Sequence, residues 1–103
     1  MNKKLSKAQI LHFMNENRQR LKDRYHIKEL KLIGSFSTNT YTDQSDVDII
    51  YSLKDNTKLN FKMYMELLYW LEDNFGRKVD LININNINPI ILKSVSGSMQ
   101  VVL

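Results

Sequence analysis

The sequence predicts an α/β (α+β) chain with a small mixed sheet of three to four strands flanked by helices. Three observations carry this. Apolar residues recur at helical spacing near the N-terminus and over residues 57–74. Short runs rich in β-branched residues separate those stretches. Capping and breaking residues fall at the joints. The predicted order is α-β-(short α)-β-α-β-α, with room for a last strand.

Each element has a local reason. Ser6 and Gln9 form a capping-box pattern, so a helix is expected from Lys7 to about Arg24, with Ile10, Leu11, Met14 and Leu21 as its apolar stripe. Ile27 to Ile33 alternates as a strand, with Leu30 and Leu32 on one face and Lys31 on the other. Gly34-Ser35 interrupts it, and the polar stretch 35–41 suits one short helix. Val47 to Leu53 is a second strand. Asp55-Asn56-Thr57 supplies cap chemistry for a helix over Thr57 to Asn74, where Tyr64, Leu67, Leu68, Leu71 and Phe75 share a face. Gly76 suits its left-handed stop. Lys78 to Ile82 is a third strand, and Asn88-Pro89 starts a helix ending near Gly97. Met99 to Leu103 is a terminal strand or an apolar tail that docks on a partner.

Composition narrows the function classes. The chain has 103 residues, 43% hydrophobic and 25% charged, the size of one small domain, 1–103. A large acceptor surface must therefore come from a partner. Without cysteine there is no disulfide scaffold, thiolate metal site or cysteine nucleophile. His12 and His26 are too few and too far apart for a metal cluster and read as a helix-face and a turn residue. No apolar run nears the ~20 residues that span a bilayer, and the stretch after Lys3 and Lys4 lacks the apolar core of a signal peptide. A cytoplasmic protein with no membrane association is expected. Residues 1–31 carry nine Lys/Arg against three Asp/Glu, and the rest six against eight. Such a basic segment suits RNA or an acidic protein face, but a solvated helix face is the favoured reading, also for Arg18, Arg20, Lys22 and Arg24.

The chemistry concentrates between residues 34 and 48. Gly34-Ser35 follows a predicted strand, and ten residues later Asp46-Val47-Asp48 opens the next. In a strand, side chains two apart share a face about 6.6 Å apart. Two carboxylates that close repel each other unless a hard cation such as Mg²⁺ lies between them. Gly34 permits close backbone approach to a ligand, and Ser35 offers a hydroxyl and N–H groups to a phosphate. Asp80, between Val79 and Leu81, is costly in an apolar strand unless paired or metal-bound. A third strand beside the second lets Asp80 complete a three-carboxylate site. Each fragment has an ordinary explanation alone: an Asx turn, a loop, an edge-strand charge. Their joint spacing does not.

This constellation, Gly34-Ser35, Asp46-x-Asp48 and Asp80, resembles the signature of the DNA polymerase beta-like nucleotidyltransferase superfamily. The short length, Gly76-Arg77-Lys78-Val79-Asp80-Leu81-Ile82 and Asn88-Pro89-Ile90-Ile91 resemble its minimal branch. The resemblance covers essentially the whole chain and implies a nucleotidyltransferase (polymerase beta palm-like) fold. It implies that Asp46 and Asp48 hold two Mg²⁺ ions, that Asp80 helps bind one of them and orients or activates the acceptor, and that Gly34 and Ser35 cradle the β/γ-phosphates of ATP. Minimal members often pair with a small helical RNase toxin of the HEPN class. The implied activity is that of an antitoxin that adds AMP to a tyrosine of that toxin, within a hetero-oligomer. One departure stands out: many members follow Gly-Ser with a small residue and Arg-Gly, whereas this chain has Phe36-Ser37-Thr38-Asn39-Thr40. The alternatives are an antitoxin that masks its partner without chemistry, and a nucleotidyltransferase with a small-molecule acceptor such as an aminoglycoside.

Overall fold

Ser6 forms the expected capping box. Its Oγ accepts the Gln9 N–H at 3.1 Å while its own N–H donates to Gln9 Oε1 at 2.9 Å. The computed structural model describes residues 4–103; Lys3 of the basic segment lies outside them. The first helix, α1 (Lys7–Glu16), is followed by α2 (Arg18–Arg24), so the single helix expected over this stretch is two. Asn17 makes the break: its side-chain amide donates to the Phe13 carbonyl at 2.9 Å, competing with the helix ladder.

Four strands follow as β1 (Ile27–Ile33), β2 (Val47–Leu53), β3 (Val79–Asn83) and β4 (Gln100–Val101). Between them lie α3 (Gly34–Thr38), α4 (Phe61–Phe75) and α5 (Pro89–Val95). Helix α4 starts four residues later than Thr57, because Asn60 is the cap: its Oδ1 accepts the Met63 N–H at 2.8 Å. Thr57 is instead held in a turn, donating to the Lys54 carbonyl at 2.5 Å. Gly76 ends α4 in the left-handed conformation at φ 66°. Strand β3 is displaced by one residue from the expected Lys78–Ile82. Asn88 caps α5 with Pro89 in its first turn, and a 3₁₀ turn, Ser96–Ser98, carries the chain past Gly97.

The sheet order is β3-β2-β1-β4, with β1 antiparallel to β2 and β4, and β2 parallel to β3. Cross-strand partners share a face. Leu30, Leu32, Ile49 and Leu81 pack with Ile10, Met14, Leu67, Leu71 and Phe75 from α1 and α4 in the hydrophobic cluster. Ile33 and Ile50 are buried outside that cluster, on the opposite face. The helices thus cover one face and leave the other for the residues between, Asp48 among them. The chain end joins the sheet through β4, and the Val102 N–H donates to the Leu30 carbonyl at 3.0 Å. Among the described residues no helix is long and apolar enough to cross a membrane.

Two of the four basic side chains on α2 are engaged internally. Arg24 grips Glu66 with two bonds of 2.7 Å, and the Arg20 guanidinium lies 4.5 Å over the Trp70 ring. Trp70 itself packs on Phe13 and Tyr25, partly buried against the core. His12 pairs with Glu16 along α1, and His26 sits in a turn with φ 58°.

Candidate active site

The parallel pairing of β2 with β3 sets Asp48 directly opposite Asp80. Each is the second residue of its strand, so both carboxylates stand side by side on the face away from the helix-packed core. The Asp48 carboxyl is pushed up to about 6, first by burial, then by its hydrogen bond with Asp80, then by the charges of Asp80 and Asp46. Lys78 pulls it the other way. Asp46 lies one residue before β2 and is exposed. It reaches the pair through its charge rather than as a third strand residue.

Gly34 closes the site from the side. It has φ +72°, and a Cβ there would fall 2.5 Å from Asp48 Oδ2. Glycine is therefore required both by the left-handed turn from β1 into α3 and by the carboxylate behind it. Ser35 follows in the first turn of α3. Ser37 anchors this helix from below: its hydroxyl bonds the Ser98 carbonyl, and its own carbonyl accepts from Lys7 Nζ at 3.0 Å. The predicted site residues Gly34, Ser35, Asp48 and Asp80 are thus brought together, with Asp46 at the rim.

Helix α4 holds the outer edge of β3. Glu72 Oε2 accepts the Val79 N–H at 3.0 Å, and the Tyr64 hydroxyl donates to the Leu81 carbonyl at 2.7 Å. Asp80 is fixed between two tethered neighbours. β3 is the edge strand beside β2. Burial, and then the Asp80 charge, raise the Tyr64 hydroxyl. Nothing local in the sequence marks Glu72, Tyr64 or Arg77 as neighbours of the site. Arg77 Nη1 donates to the carbonyls of Thr42 at 2.8 Å and Ser45 at 3.0 Å, and its guanidinium lies 5.4 Å from the Phe36 ring.

The donor set fits a divalent cation completed by a ligand. Among the described residues no three His, Cys, Asp or Glu side chains are grouped to hold a metal by themselves. Mg²⁺ typically takes one or two carboxylates and fills its shell with water and substrate phosphates. The crowded Asp48–Asp80 pair is the arrangement that such a cation relieves. A groove of about 800 Å³ lies elsewhere. It lies at the far end of β2, lined by Lys28, Ser52, Lys54 and Asp55, with Ser52 four residues or about 13 Å along the strand from Asp48. Groove volume and carboxylate chemistry do not coincide here, and the charged pair is the better guide to reactivity.

Residues 7–103 match the family described as polymerase beta, nucleotidyltransferase. The chain belongs to the polymerase beta nucleotidyltransferase family. Within that setting it is 36% identical over 93 residues to Putative protein adenylyltransferase MJ1379 of Methanocaldococcus jannaschii, covering 89% of this chain and 93% of that one. A toxin-antitoxin crystal structure with AMP-PNP shares the fold at TM-score 0.68 and 20% identity, over 96% of this chain and 73% of that one. So does a structure of tri-AMPylated Shewanella oneidensis HEPN toxin in complex with MNT antitoxin, at TM-score 0.62 and 17% identity, over 90% and 71%. These likenesses agree with the mixed sheet and its flanking helices.

Proposed function

We propose that this nucleotidyltransferase transfers AMP from ATP to a hydroxyl, a tyrosine, of a small helical HEPN-type toxin, and so acts in the cytoplasm as its antitoxin. The observation that carries the reading is the Asp48–Asp80 register pair with Gly34 pressed against Asp48. The adenylyltransferase name of the Methanocaldococcus relative and the toxin complexes that share the fold supply the reaction and partner class.

Asp46, Asp48 and Asp80 would hold two Mg²⁺ ions, which supply Lewis-acid neutralisation of phosphate charge when bound. The chain's own residues do the rest. The Gly34–Ser35 turn presents backbone N–H groups and the Ser35 hydroxyl to the β/γ-phosphates. Asp80 accepts the proton of the acceptor hydroxyl, whose oxygen attacks the α-phosphorus. The bond from that phosphorus to the bridging oxygen breaks, and pyrophosphate leaves. Positioning contributes most of the rate, since no covalent enzyme intermediate is needed.

The test is the fate of each phosphate. Incubated with Mg²⁺ and the toxin, protein labelled from α-³²P-ATP and pyrophosphate released from γ-³²P-ATP support the reading. Label carried to protein from the γ-position, or free AMP alone in the presence of toxin, contradicts it. Toxin neutralised equally well without ATP would favour masking by binding.

A further inference from the structure

Arg77 touches both halves of the candidate site and neither of its ends. One nitrogen donates to two carbonyls, Thr42 and Ser45, in the loop that delivers Asp46. That loop is already a turn, with the Ser45 N–H donating to the Thr42 carbonyl at 3.2 Å and Ser45 Oγ accepting the Thr42 N–H at 2.9 Å. The guanidinium carbon lies 5.4 Å over the ring of Phe36, which is fully buried in α3 and stacked at 4.4 Å on Tyr41. Phe36 directly follows the Gly34–Ser35 turn, and Arg77 itself stands three residues before Asp80. One side chain therefore links the phosphate turn, the Asp46 loop and the approach to β3.

We infer that Arg77 is a positioning residue that sets Asp46 against the Gly34–Ser35 turn by clamping the Thr42–Ser45 loop onto Phe36. The inference rests on the proposed site, and it assigns Arg77 no contact with substrate. Its guanidinium gives both carbonyls hydrogens from one nitrogen while the rest of the group sits over an aromatic ring, whereas a lysine ammonium that reaches the carbonyls has no delocalised plane to leave over the ring. Arg77→Lys should then keep part of the clamp and Arg77→Ala none. Residues that orient a metal ligand commonly change metal affinity about 10–100-fold when removed.

The experiment compares the full chain with Arg77→Ala, Arg77→Lys and, as a control for loss of an arginine contact away from the site, Arg24→Ala. Amide hydrogen exchange over residues 40–47 reads the clamp directly. The Mg²⁺ concentration that half-saturates binding of a fluorescent ATP analogue reads its consequence. The expected result is faster exchange over that loop and about a tenfold higher Mg²⁺ requirement in Arg77→Ala, intermediate values in Arg77→Lys, and neither change in Arg24→Ala. Unchanged loop exchange, or faster exchange with an unchanged Mg²⁺ requirement, overturns the inference, since a merely structural arginine would alter stability alone. Protein that binds the ATP analogue but transfers no AMP defeats the proposed reaction, and the clamp is still decided by the exchange.

Discussion

At the residue scale, Gly34 is the position where sequence and geometry constrain each other most tightly. Alanine there must adopt a left-handed φ, at about 1–2 kcal/mol, and its Cβ meets Asp48 Oδ2. The carboxylate has to swing away, and displacements near 1 Å cost on the order of 10²-fold in rate. Gly34→Ala should remain folded, with AMP transfer reduced by about that factor; steady-state rates at saturating Mg²⁺ check it. Gly34, Asp48 and Asp80 were legible because each is an unusual residue for its setting, a glycine at a strand end or an acid between apolar neighbours, and Ser35 followed from Gly34. Arg77 and Tyr64 were not. Their contacts are to backbone carbonyls of Thr42, Ser45 and Leu81, which are distant in sequence and offer no side-chain signature.

At the scale of elements, most were readable from periodicity and caps, and the two misplaced helix boundaries share one cause. Asn17 and Asn60 each bond a backbone group locally, which breaks the first helix at one and starts α4 at the other. The assignment of Asn60 as the α4 cap is checked by substitution. Asn60→Ala should destabilise by about 1 kcal/mol, a Tm loss of about 4–8 °C in a domain of this size, with Thr57→Ala well below that. The α2–α4 joint makes a pH prediction. Arg24, then Tyr25, hold the Glu66 carboxyl down at about 2. A group whose folded value is depressed contributes stability above its unfolded value near 4.5, and loses it as pH falls toward the folded value. Glu66→Gln should therefore lower Tm at pH 7, and the difference from the unsubstituted protein should shrink steadily between about pH 5 and pH 2. Circular dichroism melts across that range measure it.

At the scale of the molecule, the parallel β2–β3 pair makes the acidic site, because only that register puts Asp48 beside Asp80. The sequence indicated the strands and left their neighbours open; sheet order depends on the long α4 crossover returning β3 alongside β2. The terminal stretch resolved in the same way, as β4 on the outer edge of β1, with Val101 still exposed. The Gly34–Ser35 turn, the carboxylates and the Arg77 loop gather at one end of β2, and the broad polar groove lies at the other. The two ends give a direct trial of which one reacts. Label transfer from α-³²P-ATP to the toxin should be measured for the unsubstituted chain, Asp48→Ala and Asp55→Ala. Transfer should fall at least about 10³-fold in Asp48→Ala and stay within about twofold in Asp55→Ala, since Asp55 lines only the distant groove. Transfer that survives in Asp48→Ala, or that vanishes in Asp55→Ala, would contradict the account.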